Sequence, residues 1–198
     1  TARSAGGIHG IIHAAGVLDD GMLAGITKEQ LQRVVKPKVD GAWNLHQASS
    51  DDELAFFILF SSISGVMGSP GQSNYAAANS FMDALASYRA KLGLPAVSIA
   101  WGPWAEGGMA EDLTGADKAR MLRQGFSPLE IPTGMKLLDS ALKQDSTLLV
   151  AVDMDVRRMQ KMIQRSGVTV PPLYSKLIRL SFAKTASATS IALRRELA

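Results

Sequence analysis

The chain has 198 residues, 46% hydrophobic and 20% charged, with 21 Lys+Arg against 18 Asp+Glu and a formal net charge of +3. It has no cysteine, which excludes disulfides, thiolate metal sites and cysteine nucleophiles. The mildly basic balance has no dense Lys/Arg tract, so nucleic acid is not expected as a partner, and an anionic small molecule accounts for the balance equally well. No apolar run reaches the 18 or more residues of a membrane span and no signal-peptide pattern opens the chain, so the expected location is soluble and cytoplasmic.

In chain order, Gly7 to His13 reads as a buried strand closing on Ala14, Ala15 and Gly16, small residues that admit a close ligand or tight strand–helix packing. His13 reads as a core or strand-end histidine. Val17 to Gly21 is a polar loop whose Asp19-Asp20 pair suggests solvation rather than a metal site. Thr27 with Gln30 three residues later predicts a capping box. Pro37 is expected to kink the helix begun there or divide it in two, with Lys38 beside the kink.

Phe56 to Phe60 is a continuous apolar run, the pattern of a strand buried on both faces in a parallel sheet. Ser61 and Ser62 end it, and Gly65, Gly68, Pro70 and Gly71 predict a loop. Ser73 is a candidate cap for a helix starting near Tyr75 and stopping at Gly93-Leu94-Pro95. Its predicted core face carries Ala78, Phe81, Met82, Leu85 and Leu92. Ligands of open α/β sheets sit beyond the carboxyl ends of the strands, where Ser62 lies and to which the helix start can return Tyr75.

That pairing has chemical content. A phenol with an ordinary pKa of about 10 donates a proton near neutrality only with help, and a nearby ammonium supplies it by stabilising the phenolate. A serine hydroxyl can hold a carbonyl oxygen in line with the phenol. Asn79, four residues after Tyr75, shares its helix face and can orient a proton relay. A Ser/Gly loop followed by an ordinary helix is the plain alternative.

Ala96 to Ala100 predicts another strand, leading into Trp101-Gly102-Pro103-Trp104 at the same sheet edge. Residues 105–127 read as a mobile lid with a short helix. Residues 132–143 read as a helix, 146–152 as a last strand, 156–165 as a short basic helix and 173–180 as a docking segment. The Ala/Ser/Thr-rich stretch from Ser181 reads as a linker.

Four landmarks now stand in order: GIIHAAGVLDDG, KPKVDGAWNLH, FSSISGVMGSPGQSNYAAANSFMDAL and LPAVSIAWGPW. Together they resemble the ketoreductase domain of modular type I polyketide synthases, in the short-chain dehydrogenase/reductase superfamily. The resemblance implies a Rossmann-like, doubly wound α/β fold with a parallel sheet. It implies NADPH-dependent reduction of a β-ketoacyl thioester carried by the phosphopantetheine of an acyl carrier domain, in polyketide or fatty acid assembly. Tyr75 would be the general acid, Ser62 the carbonyl-oxygen ligand, and Asn79 the residue standing where other superfamily members have lysine. The lysine is then Lys38, 24 residues before Ser62.

The implied cofactor contacts are Ala14, Ala15, Gly16, Lys38, Tyr75, Gly102, Pro103 and Trp104. Asp20, in Leu18-Asp19-Asp20, and Met67, which stands where the opposite stereochemical class has tryptophan, imply a B-type enzyme making the D-configured alcohol.

The chain has no G-x-G-x-x-G. The resemblance therefore leads to the expectation that this chain is the catalytic part of the domain (1–155), with a helical docking segment (156–180) and a linker toward a carrier domain (181–198). A non-catalytic fragment of a synthase and a free-standing short-chain dehydrogenase are the other readings.

Overall fold

The computed structural model describes residues 7–106, 115–123, 125–167, 169–170 and 172–178. Four strands, β1 (Gly10–His13), β2 (Phe56–Ser62), β3 (Val97–Trp101) and β5 (Leu148–Ala151), form a parallel sheet in that spatial order. Its register aligns His13 with Leu59, Ser62 with Trp101, and Trp101 with Ala151. The carboxyl ends of the strands therefore open on one edge.

Alternation along β2 divides the core between the two faces of the sheet. Phe57 and Leu59 pack against Ala42 of α2 (Gly41–Ala48) and Met82, Leu85 and Ala86 of α4 (Ser73–Lys91). Ile58 joins Val97, Ile99 and Trp101 on the opposite face, under Ala141 of α6 (Ile131–Ala141). With helices on both faces, the sheet is doubly wound and Rossmann-like.

The edge strands depart from the sequence reading. β1 is shorter than residues 7–13 and is not buried on both faces, since Ile12 is 53% exposed. The reason is position: among the described residues β1 pairs only with β2, so burial depends on what covers its other side. Val150 of β5, at the opposite edge, is likewise exposed.

The Thr27 capping box is present, with both reciprocal hydrogen bonds, and starts α1 (Lys28–Val35). Pro37 does not separate α1 from α2. A π-turn over Lys36–Asp40, closed by Gly41 N–H donating to the Lys36 carbonyl, carries the chain directly from one helix into the other. A wider turn accommodates the missing proline N–H, and the added residue rotates α2 relative to α1.

Residues 63–67, read as loop, form the short helix α3 capped by the Ser62 hydroxyl. Helix α4 begins at Ser73, so Ser73 is not its cap; Asn74 Oδ1 instead accepts from the Tyr75 N–H at 2.8 Å. Leu92 falls beyond the helix and is exposed, whereas Gly93 takes the expected positive φ of 74°.

Of the expected lid, residues 107–114 lie outside the described residues; α5 (Gly115–Arg123) is its helix. Its last part instead contributes β4 (Phe126–Ser127), paired antiparallel with β6 (Asp153–Met154). The basic helix is α7 (Val156–Ser166), capped by Asp155 and packed through Met159 and Ile163 against Tyr174 and Ile178. Residues 179–198, and with them the expected linker, lie outside the described residues. No helix among the described residues is long and apolar enough to cross a membrane.

Candidate active site

Three elements, the π-turn, β2 and α4, bring Lys38, Ser62, Tyr75 and Asn79 to the carboxyl edge of the sheet. The π-turn points Lys38 inward, leaving it only 2% exposed. Its Nζ donates to the Phe60 carbonyl on β2 at 3.1 Å and lies 5.2 Å from the centre of the Tyr75 ring. Tyr75, in the first turn of α4, is 8% exposed and packs against Val34 and Ala78. Ser62 ends β2, and its Oγ accepts from Ser64 N–H at 3.2 Å, which leaves the hydroxyl proton free of that bond.

Asn79, one turn beyond Tyr75, is fully buried. Its Nδ2 donates to the Tyr75 carbonyl at 2.8 Å, while its Oδ1 is buried without a hydrogen-bond partner. Ser61 donates to the Asn79 carbonyl at 3.4 Å, joining helix to strand. Gly65 is what allows α3 to press on α4 here. A Cβ built on it would stand 3.0 Å from Asn79 Cβ and 3.1 Å from the Ser80 nitrogen.

The electrostatics are governed by burial. Desolvation pulls the Lys38 ammonium down from its ordinary value to about 8, against the opposing pull of the Asp83 carboxylate. Desolvation pushes the Tyr75 phenol upward, while the Asn79 and Ser62 side chains draw it back and Asp20 adds to the rise. The net shift of the phenol in the resting site is therefore upward. The ammonium faces the ring and the Phe60 carbonyl, and burial prevails at the hydroxyl.

The Asp19-Asp20 loop is tied to the start of α4 and to α1. Gln72 Nε2 donates to Asp20 Oδ2 at 2.9 Å, Gly21 N–H to the Gly71 carbonyl at 2.8 Å, and Asn74 Nδ2 to the Asp19 carbonyl at 2.8 Å. Gln30 donates to Asp19 Oδ1 at 3.0 Å and Arg33 pairs with its other oxygen at 3.0 Å. Sequence reasoning missed Gln72 and Asn74, and it read Gln30 as a capping residue without its bond to Asp19; the partners of the three lie 11 to 55 positions away.

The other expected contact residues are arranged less closely. Ala14 and Ala15 are exposed directly after β1, and Gly16 is half-buried. Gly102 is buried with Val152 Cγ1 only 3.1 Å from where a Cβ would stand, so its smallness serves packing. Trp104 stacks on Trp101 with centroids 4.9 Å apart and covers Gly134. With Pro103 it lines a cleft of about 270 Å³ whose other wall includes Met121 and Leu122 of α5. Met67, half-buried, ends α3.

A doubly wound parallel sheet with buried Lys38, Tyr75 and Asn79 and half-buried Ser62 at its carboxyl edge has the form of a Rossmann-like oxidoreductase domain. A family model described as the KR domain matches residues 1–106. The chain belongs to that family, the ketoreductase domains of polyketide synthases.

It is 47% identical over 195 residues to the polyketide synthase GfsB of Streptomyces halstedii, covering 96% of this chain and 3% of that protein. Identity is 45% over 173 residues to the phenolphthiocerol synthesis polyketide synthase type I Pks15/1 of Mycobacterium marinum, covering 87% of this chain and 8% of that one. Among solved structures, the PlmKR1 ketoreductase from the first module of phoslactomycin biosynthesis in Streptomyces sp. HK803 superposes with a TM-score of 0.78 at 36% identity. That match covers 91% of this chain and 41% of the other. The chain thus spans a small part of the curated relatives it matches, which are large multidomain synthases. Ketoreductase domains of this family use nicotinamide cofactors.

Proposed function

We propose that this chain carries the active site of an NADPH-dependent ketoreductase that reduces a β-ketoacyl thioester, delivered by an acyl carrier domain, to a D-configured β-hydroxyacyl thioester. The reaction belongs to residues 1–155. The observation that carries the reading is the convergence of Lys38, Ser62, Tyr75 and Asn79 in one polar cluster at the carboxyl edge of the sheet.

The cluster fits a nicotinamide group beside it. Lys38 uses one of its three donors on Phe60, and Asn79 Oδ1 is an unsatisfied buried acceptor. Lys38 and Tyr75, together with Ala14 to Gly16 and Gly102 to Trp104, are the residues that would hold it. When bound, the cofactor supplies hydride to the carbonyl carbon. Tyr75 gives its phenolic proton to the carbonyl oxygen, and the Ser62 hydroxyl donates a hydrogen bond that fixes that oxygen. Lys38 keeps positive charge close to the ring as the phenol loses its proton, and Asn79 holds the first turns of α4 and offers an acceptor to a relayed proton. The tethered Asp20 loop lies to one side of Tyr75 and Met67 occupies the end of α3, an arrangement that suits entry of the pantetheine arm along the Asp20 side.

The test is incubation of the ketoreductase bearing this chain with a β-ketoacyl thioester and either NADPH or NADH, following cofactor absorbance and product mass together. NADPH-dependent gain of two hydrogens is expected. A folded protein without turnover would favour a non-catalytic role, and preference for a small free alcohol over a thioester would favour a free-standing dehydrogenase.

A further inference from the structure

A buried ammonium needs an opposing charge or carries a heavy desolvation cost. Lys38 is buried and forms its hydrogen bond with a neutral carbonyl. Four elements surround it: His13 reaches it from β1, the Phe60 carbonyl from β2, the flanking residues of its own π-turn include exposed Lys36 and Asp40, and α4 presents Tyr75 and Asp83. His13 is buried, and its imidazole is held toward the neutral form by desolvation and by Lys38 itself, so it supplies no negative charge.

Asp83 stands at the third step of an i, i+4, i+8 ladder, Tyr75–Asn79–Asp83, on one face of α4. Its side chain is buried and accepts from the Ser98 hydroxyl on β3 at 2.6 Å, a short charge-assisted hydrogen bond. Ser98 is the register partner of Leu59, the residue immediately before Phe60. Phe60, whose carbonyl anchors the ammonium, and Ser98, whose hydroxyl anchors the carboxylate, are therefore diagonal neighbours on paired strands, which are spaced roughly 5 Å apart. Nothing in the reaction itself requires Asp83, yet it is a buried carboxylate beneath a reactive cluster.

We infer that Asp83 is a positioning residue: clamped by Ser98, it is the buried counter-charge that keeps the Lys38 ammonium protonated and seated between Phe60 and Tyr75. The inference rests on the proposed function only for its consequence in catalysis; the charge relationship is a property of the folded chain. The upward pull of Asp83 on Lys38 acts in the same direction.

The experiment is an NMR titration of the lysine side chains in the 198-residue protein, with Lys38 assigned by its loss in Lys38→Met. In the wild type Lys38 should titrate near 8. Asp83→Asn keeps an acceptor for Ser98 but removes the charge, and should lower the Lys38 midpoint by roughly one unit or more. Asp83→Glu should restore most of it. If Asp83→Asn does not fold, Ser98→Ala, which frees the carboxylate without deleting it, should give a smaller shift in the same direction. An unmoved Lys38 midpoint in whichever variant folds overturns the inference. The same variants in a turnover assay should shift the alkaline limb of the pH–rate profile to lower pH. A shifted NMR midpoint without any ketone reduction would leave the Asp83 inference standing and remove the proposed function.

Discussion

The Lys38 ammonium is anchored to the Phe60 main-chain carbonyl and lies over the Tyr75 ring, 5.2 Å from the ring centre. A cation over an aromatic face is attracted by the ring quadrupole and needs no rearrangement to stabilise a phenolate that forms there. The resting phenol nevertheless stays above its ordinary pKa because burial outweighs its polar neighbours. The resting site thus keeps the Tyr75 phenol protonated at neutral pH.

Tyr75→Phe removes the proton donor and keeps the ring that packs on Val34 and Ala78. Ketone reduction should fall by roughly 10²–10⁴-fold, the usual range for a general acid. Urea unfolding should move by less than about 1.5 kcal/mol, as for other shape-conserving changes. Near-normal reduction by the variant would remove Tyr75 from its role.

Lys38→Met should remove the alkaline pH dependence that Lys38 gives to the wild-type protein's stability. The folded pKa of about 8 lies below the ordinary lysine value, so folding releases protons and wild-type stability rises as pH goes from about 8 toward 10.5. Below that window the buried charge costs on the order of 3 kcal/mol. The stability of Lys38→Met relative to wild type should therefore be greatest at pH 7 and fall as pH climbs through the window, on top of a constant cost for leaving Asp83 without its counter-charge. Denaturant titrations at neutral and alkaline pH check this. A difference that does not change with pH would mean that Lys38 is not desolvated.

Gly65→Ala tests whether the α3–α4 contact holds Ser62 in place. The added methyl meets backbone and Cβ atoms of α4 that cannot rotate away. A loss of about 1–3 kcal/mol in stability is expected. Turnover should drop as well, because Ser62 caps the displaced helix. Unchanged unfolding with unchanged turnover would show that α3 is free to shift.

Stereochemistry tests the Asp20 loop. The product should be the D-configured 3-hydroxyacyl thioester with no change at the α-carbon, read by chiral chromatography. Met67→Trp, which fills space at the end of α3, should erode that selectivity. A predominantly L alcohol from the wild type would overturn the B-type assignment, and a scrambled α-methyl centre would overturn its second part.

Signals that act over a few residues were readable without the structure. The Phe56–Phe60 run is β2 and is buried on both faces, Thr27 and Gln30 form their capping box, and Gly93 takes positive φ after α4. The four landmark motifs were enough to indicate the ketoreductase family, because their order and spacing reflect the whole fold. What local pattern did not contain was burial. Lys38 on a helix reads as a solvated charge until the π-turn at Pro37 and the strand beneath it are both in place. Asp83 reads as one acid on the long helix α4, and its placement near Lys38 exists only because β2 and β3 pair in register between them. The exposure of β1 and the helix at residues 63–67 were misread for the same reason. Periodicity and capping are set by neighbours along the chain, whereas desolvation, and with it the chemistry of Lys38 and Tyr75, is set by segments that meet only when the sheet is assembled.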